Sequence, residues 1–445
     1  MKIWQTQKSQ ALDPIIENFT IGADRECDAQ LLKFDALASL AHAATLLKAK
    51  FLSQSEFRKI QKVLQTVSQK PTLISLQNFE DGHSALEDFL SKKLGDLGAK
   101  IHLGRSRNDQ AATALRLFGK SKLLKIQAQI LAVSLNFLEL AEKFADLPCP
   151  GYTHTRPAML TSVGHFFAAF AESLGRDFCL LTAVQQAFDS CPLGAAAGFG
   201  TTLPLDRNYT AKLLGFPKPE NNTLTTQLSR GSFEANVSSA LANLFLPLSR
   251  FANDLIYFSA PEFDFFELNA KIATGSSIMP QKSNPDALEI LRGSAGSLLG
   301  KTTEIFSLTQ SRSAGYTRDL QLTKKPFLES LTLAENSLTA LPVLLKNLKV
   351  NKAKCILSAS QPEIFAAEKA NQLVAKKQLS FRAAYREVKQ NLAELKGQDS
   401  QTALKLLKIT GSAGNLNLAP TKKFLLQAQK NLLQAVKSFK RVVKV

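Results

Sequence analysis

The chain has 445 residues and is basic, with 55 Lys and Arg against 37 Asp and Glu and a formal net charge of +18. This length predicts two or three packed regions, and 45% hydrophobic with 21% charged residues is typical of a globular protein with a sizeable core. The sequence lacks a run of about 18 uncharged apolar residues, so we predict no membrane span. The five cysteines are scattered and form no C-x-x-C pair, which argues against a disulfide framework or a zinc site.

The first part of the chain predicts short helices. Residues 1–10 lack the apolar core of a secretory signal, which favours a cytoplasmic protein. Amphipathic segments then predict helices over Asp28–Leu47, Ser53–Thr66 and Ser84–Leu94. The candidates for short strands are Lys100–His102 and, further on, Thr201–Leu203. We expect residues 1–105 to form a smaller N-terminal helical domain.

Long segments with helical periodicity occupy the centre of the chain. From Asp109 to Phe144 apolar residues recur at three- and four-residue steps without a proline, which predicts a helix of roughly 50 Å at about 1.5 Å per residue. Similar patterns predict helices over about Ser162–Phe188, Phe233–Tyr257, Asp286–Gln310 and Pro326–Leu348. Long helices joined by short polar links are typical of a bundle. The sequence therefore predicts an all-α fold with a long central helical bundle over residues 106–353.

The last part of the chain returns to shorter segments and predicts a C-terminal helical domain over residues 354–445. Its predicted helices are Pro362–Lys377, Phe381–Leu395 and Pro420–Val445. The densest basic cluster of the chain consists of Lys437, Lys440, Arg441 and Lys444. The basic charge allows a nucleic-acid-binding protein as an alternative, but the bases are spread along the chain without aromatic interleaving. A solvated basic surface that attracts anionic substrates is the better interpretation, so we expect neither nucleic acid nor a membrane as a partner.

Polar clusters interrupt the pattern at the entrances of predicted helices, where unpaired N–H groups and partial positive charge favour carboxylate binding. The first cluster is Gly104–Gln110. Asn108 or Asp109 can cap the following helix. A cap explains one residue and leaves two arginines, a serine and a glutamine beside an apolar helix.

Two further polar turns carry histidines. His83 lies in Asp81–Ser84 before an earlier helix, where a lone histidine is more often structural than functional. His154 lies in Gly151–Pro157, and Pro157 prevents a helix from extending backward into this turn. His154 is therefore expected in a defined loop, where it is a candidate for proton transfer.

The most specific cluster is Gly275–Pro285. Its end predicts a helix start with Asn284 as the cap and Pro285 at the first helical position. Its Gly-Ser-Ser start supplies hydroxyl and N–H groups that can approach a ligand. Lys282 is a cation near a helix N-terminus, which can stabilise developing negative charge and which a structural turn does not need.

Two lesser clusters follow the same logic. Leu193–Thr202 is rich in Gly and Ala, which predicts tight backbone packing or a loop against a ligand, but it lacks the G-K-[ST] ending of a phosphate loop. Tyr316–Gln321, with Lys324 nearby, places a phenol, an amide and cations near another helix entrance.

These motifs resemble the fumarase/aspartase superfamily, whose members share a long helical bundle and release fumarate or a related product. GSSIMPQKSNP at Gly275–Pro285 is nearly the full superfamily pattern. GRSRNDQ at Gly104–Gln110, GYTH at Gly151–His154 and Y-x-x-D-L-Q-x-x-K at Tyr316–Lys324 are similar to its argininosuccinate lyase branch. The similarity runs in order from about residue 15 to 395.

The resemblance implies reversible elimination of argininosuccinate to arginine and fumarate, the last step of arginine biosynthesis, without a metal or an organic cofactor. It implies proton transfer by Ser276 and His154 and stabilisation of the carbanion by Lys282. The substrate contacts that it implies are His83, Ser106, Arg107, Asn108, Thr153, Asn284, Tyr316, Gln321 and Lys324. Superfamily members are usually homotetramers in which three subunits contribute to each active site.

The roles of the two proton-transfer residues stay open at the level of sequence. We favour Ser276 as the base and His154 as the acid or the residue that orients it. The reverse assignment is the alternative, because a serine hydroxyl is a poor base unless its alkoxide is strongly stabilised.

The chain departs from the family pattern at three places. Thr155-Arg156-Pro157 follows GYTH where the family continues L-Q-x-A-Q-P, and Ser229–Phe233 lacks both acids of the common S-D-R-D-F segment. Asp24 stands near the position of a ligand-touching serine. Two alternatives to argininosuccinate elimination therefore remain: a sister lyase acting on adenylosuccinate, aspartate or malate, and a catalytically silent structural homologue.

Overall fold

A computed structural model of the protein describes residues 12–442. The N-terminal segment that argues against a secretory signal lies outside the described residues, as do Lys444 and the side chain of Arg441 from the basic cluster.

Helices dominate the described chain, as the sequence predicts. The α-helices are α1 Pro14–Ile21, α2 Asp24–Lys48, α3 Gln54–Gln69, α4 Gly82–Leu94, α5 Asp96–Ala99, α6 Arg107–Lys143, α7 Val163–Ala187, α8 Arg207–Leu213, α9 Thr225–Leu228, α10 Ser232–Phe258, α11 Asp286–Thr309, α12 Lys324–Asn347, α13 Lys352–Ala359, α14 Ala366–Lys377, α15 Phe381–Gln390, α16 Ser400–Leu404 and α17 Ala419–Val442. Short 3₁₀ helices lie at Pro71–Leu73, Lys100–His102, Arg318–Thr323, Pro362–Phe365 and Leu392–Glu394. The strands are β1 Pro148–Thr153, β2 Arg156–Ser162, β3 Phe266–Leu268, β4 Thr274–Gly275, β5 Ser283–Asn284 and β6 Leu348–Val350, paired antiparallel as β1–β2, β3–β6 and β4–β5.

Both strand predictions are wrong. Lys100–His102 forms a 3₁₀ turn, closed by the N–H of Leu103 donating to the carbonyl of Lys100, and Thr201–Leu203 has no regular structure. The β1–β2 hairpin is an element that the sequence pattern does not predict. Its two-residue turn, His154-Thr155, has φ of 52° and 61°, and such turns usually carry Asn or Gly. The usual sequence signal for a hairpin is therefore absent.

Three of the five long helices run in the same direction. Near its start, α6 places Gly119 against the ring of Phe233 at the start of α10, and further along Phe137 packs edge-on against Phe251, with ring centroids 4.9 Å apart. Helix α12 follows α6 in the same sense, because Lys122 pairs with its Glu335 at 2.6 Å and Gln129 hydrogen-bonds to Thr339 one turn later at 2.7 Å.

The other two long helices run in the opposite direction. Gln127 of α6 donates to Thr182 near the end of α7 at 3.0 Å, whereas Phe137 meets Phe167 near the start of α7. Thr309, the last residue of α11, lies against the backbone just before α10. The polar entrances of α6, α10 and α12 consequently lie at one end of the bundle.

The main core fills the space between these helices with fully buried aromatic rings. Phe137 is 0% exposed and contacts Phe167, Phe170 and Phe251. A second hydrophobic cluster lies among the N-terminal helices and includes Leu46, Ile60 and Ile101. Helix α17 packs back onto α6 and α7. The domain boundaries at residues 105 and 353 stay predictions.

Helix α6 is the one helix of the described chain that is long and apolar enough to cross a membrane by length and composition. It contributes many fully buried residues to the core and packs against α2, α7, α12 and α17. These contacts identify α6 as the central core helix of the bundle. A buried core helix can have the same length and apolar composition as a membrane-spanning helix.

We expect Phe137→Ala to lower the free energy of unfolding by about 3–5 kcal/mol, because it removes a buried ring and leaves a cavity lined by other rings. Urea denaturation followed by circular dichroism measures the change. Phe381→Ala is the control, since that side chain is 50% exposed. Equal losses in the two variants would contradict the central position of Phe137.

Candidate active site

A polar pocket lies where the entrances of α4, α6, α10 and α12 meet. Six of the residues named from the sequence line it: His83, Arg107, Asn108, Tyr316, Gln321 and Lys324. The other lining residues are Asp24, Asp81, Ala111, Arg230 and Arg318. Residues separated by as many as 300 positions in the sequence therefore meet in one cleft.

The start of α6 is capped by Ser106. The N–H of Asn108 donates to Ser106 Oγ at 3.3 Å, and Asp109 completes the capping box by accepting from the N–H of Ser106 at 3.0 Å. Neither Asn108 nor Asp109 is the cap residue, and the side chain of Asn108 is left to line the pocket. Ser106 itself does not line it.

Asp109 also anchors the Gly- and Ala-rich loop. Its Oδ2 accepts from the N–H groups of Gly194 and Ala196 at 3.0 and 2.9 Å. Burial raises the pKa of the Asp109 carboxyl to about 6. Of the two sequence interpretations of Leu193–Thr202, these contacts support tight backbone packing, which fixes the loop against the first turn of α6.

Lys324 is held in the pocket by two carboxylates of α2. Its Nζ lies 3.0 Å from Asp24 Oδ1 and 2.8 Å from Asp28 Oδ1. Burial acts to lower the pKa of Lys324, but the attraction of Asp28 and Asp24 outweighs it and raises the pKa above its usual value. Lys324 is therefore a permanent buried cation at the first position of α12.

Asp24, which departs from the family's serine, has a structural explanation. Burial raises the pKa of its carboxyl, against the opposing attraction of Lys324. The neighbouring Arg25 turns away from this pair and donates to the carbonyl of Phe79 at 2.7 Å. Asp24 thus joins the wall of the pocket as a partner of Lys324.

His83 is buried at the first turn of α4, with Nδ1 2.8 Å from Asp35 Oδ2. Burial opposes protonation, but Asp35, with a further contribution from Asp81, raises the pKa of His83 above its usual value. Arg107 lies beside this turn and contacts Glu80 at 2.9 Å and Asp81 at 3.2 Å. The histidine is therefore part of a buried ionic network that borders the pocket.

The remaining wall is the segment that leads into α12. Gln321 donates to the carbonyl of Thr20 at 2.7 Å. The guanidinium of Arg230 lies over the ring of Tyr316, 5.3 Å from its centroid. Arg230 is a pocket residue that the sequence motifs do not identify. Its position in a polar break just before a long helix is the signal that could have indicated it.

The hairpin that carries Thr153 and His154 lies at the opposite end of the bundle. It follows the C-terminal end of α6, and its Tyr152 ring packs 5.5 Å from the ring of Phe258, the last residue of α10. Asn108 stands at the other end of α6, whose 37 residues span about 55 Å. One chain therefore does not bring its own His154 to its own pocket.

The segment that carries Ser276 and Lys282 is also remote from the pocket. It is the exposed loop between β4 and β5, just before the start of α11, whereas the pocket lies near the end of that helix, some 24 residues or about 36 Å away. Within the loop, Ser276 Oγ accepts from the N–H groups of Ile278 and Met279 at 3.3 and 3.1 Å.

The predicted cap of α11 is wrong. Asn284 lies in β5, where it pairs with Thr274 and its amide donates to the carbonyl of Gly275 at 3.4 Å. Pro285 occupies the cap position, and α11 begins at Asp286. Asn284 closes the loop by pairing with Thr274 of β4, and the local sequence around Asn284 does not predict this contact.

The site residues named from the sequence thus fall into two sets in one chain. The first set lines the pocket. The second set lies outside it and consists of Ser106, Thr153, His154, Ser276, Lys282 and Asn284. No group of three or more His, Cys, Asp or Glu side chains that could hold a metal ion occurs within residues 12–442.

Comparison with known proteins places the chain among lyases. The sequence profile of the Lyase family matches residues 6–300. An argininosuccinate lyase of Thermotoga neapolitana is 39% identical over 87% of this chain and 97% of its own length. An argininosuccinate lyase of Sorangium cellulosum is 37% identical over 94% of this chain and 97% of its own.

Solved structures share the fold at lower identity. An EDDS lyase in complex with formate has a TM-score of 0.81 at 21% identity, covering 98% of this chain and 95% of that protein. A class II fumarase from Schistosoma mansoni has a TM-score of 0.71 at 17% identity, covering 93% and 94%. Together with the helices described above, these similarities confirm the predicted all-α bundle.

We expect His83→Asn to remove a pH-dependent part of the stability. Because the pKa of His83 is raised in the folded protein, its attraction to Asp35 stabilises the fold fully below the unfolded value of about 6.5 and is lost as pH rises through the folded value. The difference in unfolding free energy between wild type and variant should therefore be largest near pH 6 and shrink toward pH 9. Chemical denaturation at a series of pH values measures it, and a difference that grows with pH would contradict a raised pKa.

Proposed function

This chain belongs to the argininosuccinate lyases of the Lyase family, and we propose that the pocket of one subunit and the exposed loops of neighbouring subunits together cleave argininosuccinate into arginine and fumarate. The observation that carries the proposal is the convergence of Asn108, Tyr316, Gln321 and Lys324 in one pocket at the entrances of long helices. These are positions at which the family resemblance implies substrate contacts. Helix N-termini suit a substrate with several carboxylates.

The lengths of the helices favour an active site shared between subunits. The pocket and the loop of Ser276 lie about 36 Å apart along α11 of one chain. Argininosuccinate spans on the order of 15 Å by ordinary bond lengths. Within one chain, the pocket and the loop are therefore too far apart for one substrate molecule to contact both of them. A symmetric homotetramer supplies the missing loops from neighbouring copies.

Ser276 is the base in this proposal. The elimination starts with removal of a proton from the succinyl carbon next to a carboxylate. A serine can take that proton only if its alkoxide is stabilised, and the two N–H groups that donate to Ser276 Oγ act in that direction. Lys282 in the same loop adds a positive charge for the carbanion, whose negative charge spreads into the adjacent carboxylate.

His154 is the acid or the residue that orients it. The electron pair of the broken C–H bond forms the double bond of fumarate, the C–N bond breaks, and the departing guanidino nitrogen receives a proton. His154 stands on a two-residue turn at the tip of a hairpin, so a neighbouring pocket can receive it without movement of the helices. The reaction uses no metal or organic cofactor in this proposal, and we place the enzyme in the cytoplasm.

The experiment that tests the function is a fumarate-release assay followed by absorbance. Wild-type protein should release fumarate from argininosuccinate and not from adenylosuccinate. Ser276→Ala should lower kcat by roughly 10²–10⁴-fold with little change in substrate binding by calorimetry. Wild-type protein that binds argininosuccinate without turnover would instead identify a catalytically silent homologue.

Deuterium exchange in D₂O separates the base from the acid. If Ser276 is the base, His154→Asn still forms the carbanion, and deuterium enters unreacted argininosuccinate at the succinyl carbon. Ser276→Ala then shows neither exchange nor cleavage. Exchange that survives in Ser276→Ala and disappears in His154→Asn would reverse the two roles.

Mixing two inactive variants tests the shared site. Asn108→Ala alters the pocket and Ser276→Ala alters the loop, so each homo-oligomer should be inactive. When equal amounts are unfolded, mixed and refolded, about a quarter of the sites should combine an intact pocket with an intact loop from another chain. Activity should therefore return to about a quarter of that of wild type refolded in parallel. Mixtures without any recovery would mean that pocket and loop come from one chain.

A further inference from the structure

Arg230 is a buried arginine of the pocket, and two of its guanidinium nitrogens lack hydrogen-bond partners within the described part of the chain. It is 4% exposed and lines the pocket. Within residues 12–442, its Nε and Nη1 donate no hydrogen bond. Burying a charged donor without partners costs free energy, so native proteins usually satisfy such groups.

The other cations of the pocket are occupied. Arg107 contacts Glu80 and Asp81, and Lys324 contacts Asp24 and Asp28. Arg318 donates to the carbonyl of Thr20 at 3.3 Å. Arg230 therefore differs from these neighbours in being a buried cation whose Nε and Nη1 have no hydrogen-bond partner within residues 12–442.

A neighbouring counter-charge does not take up these donors. Glu234 lies one helical turn further along and attracts Arg230, which opposes the effect of burial in raising the pKa of the Glu234 carboxyl. Its Oε2 accepts from the N–H of Gly231 at 2.8 Å, and its Oε1 has no partner. The charge of Glu234 therefore stabilises the charge of Arg230, although Glu234 accepts no hydrogen bond from Nε or Nη1 of the guanidinium.

The backbone around Arg230 is fixed by contacts on both sides. Arg116, buried in α6, donates to Ser229 Oγ at 2.9 Å. Gly231 has φ of 77°, and a Cβ at that position would lie 2.4 Å from Thr309 Oγ1, so only glycine fits there. With the Tyr316 ring under the guanidinium, the side chain is held in place before any ligand arrives.

We propose that Arg230 binds the α-carboxylate at the arginine end of argininosuccinate. The inference rests on the proposed function, in which the succinyl end reacts at Ser276 and Lys282 of another subunit. The arginine end is a zwitterion, and the guanidinium of Arg230 is a cation of the pocket that can bind its carboxylate. A planar guanidinium matches a carboxylate through two parallel hydrogen bonds. Ser229–Phe233, which lacks the family's acids, thereby acquires a binding role.

Product inhibition by arginine and by fumarate distinguishes this role from a structural one. Arg230→Gln removes the positive charge and the pair of parallel hydrogen bonds that a guanidinium can donate. The inhibition constant of arginine and the KM of argininosuccinate should therefore rise by about 10- to 100-fold. The inhibition constant of fumarate should stay close to that of wild type, because fumarate is bound by the loop residues. Arg58→Gln, an exposed change on α3, is the matched control and should alter neither constant.

Arg230→Lys keeps a cation beside Glu234 and tests the inference even if Arg230→Gln does not fold. It should weaken arginine binding less than Arg230→Gln does, since a lysine makes single hydrogen bonds. Unchanged arginine inhibition in the folded variants, or an equal weakening of fumarate and arginine, would overturn the inference. Calorimetric titration of wild type with arginine distinguishes failure of the two proposals. Wild type that binds arginine but lacks turnover contradicts the proposed function. Full turnover together with unaffected arginine binding in the variants contradicts only the role of Arg230.

Discussion

The ionic contact of Lys324 with Asp24 and Asp28 is the interaction on which the pocket depends. It joins the first residue of α12 to α2, and Asp28 also accepts from the N–H of Gly82 at the start of α4, at 2.9 Å. Three helix entrances are thereby held together by charges away from water. Removing one partner of a buried ion pair typically costs about 3–5 kcal/mol, because the other charge stays buried without compensation.

In the proposed active site, the rigid parts and the exposed parts come from different regions of the chain. The pocket residues are fixed by buried ion pairs, capping and ring contacts. Ser276 and Lys282 stand on a loop exposed to solvent, and His154 stands on the tip of a hairpin at the same end of the bundle. The long helices keep these two regions apart within one chain, so the proposed active site depends on how copies of the bundle associate.

The long helices could be predicted from the sequence because each one buries an apolar stripe with a regular period. α6, for example, was placed at Asp109–Phe144 and extends over Arg107–Lys143. The β1–β2 hairpin could not be predicted in this way, because its turn at His154 and Thr155 lacks the Gly or Asn that favours positive φ. Asn284 was misassigned as a cap for a related reason: its partner Thr274 lies ten residues away across a loop.

The amino-acid sequence alone is sufficient to predict the fold class and the family of the protein. Helical periodicity and capping are local properties, and motifs such as GSSIMPQKSNP carry the family resemblance without any coordinates. The folded chain is needed to show which polar residues share one cleft and that Asp24 is a partner of Lys324. It is also needed to show that two donors of Arg230 have no hydrogen-bond partner within residues 12–442. The reason is that burial and pairing depend on distances between residues far apart in the chain, which no local pattern encodes.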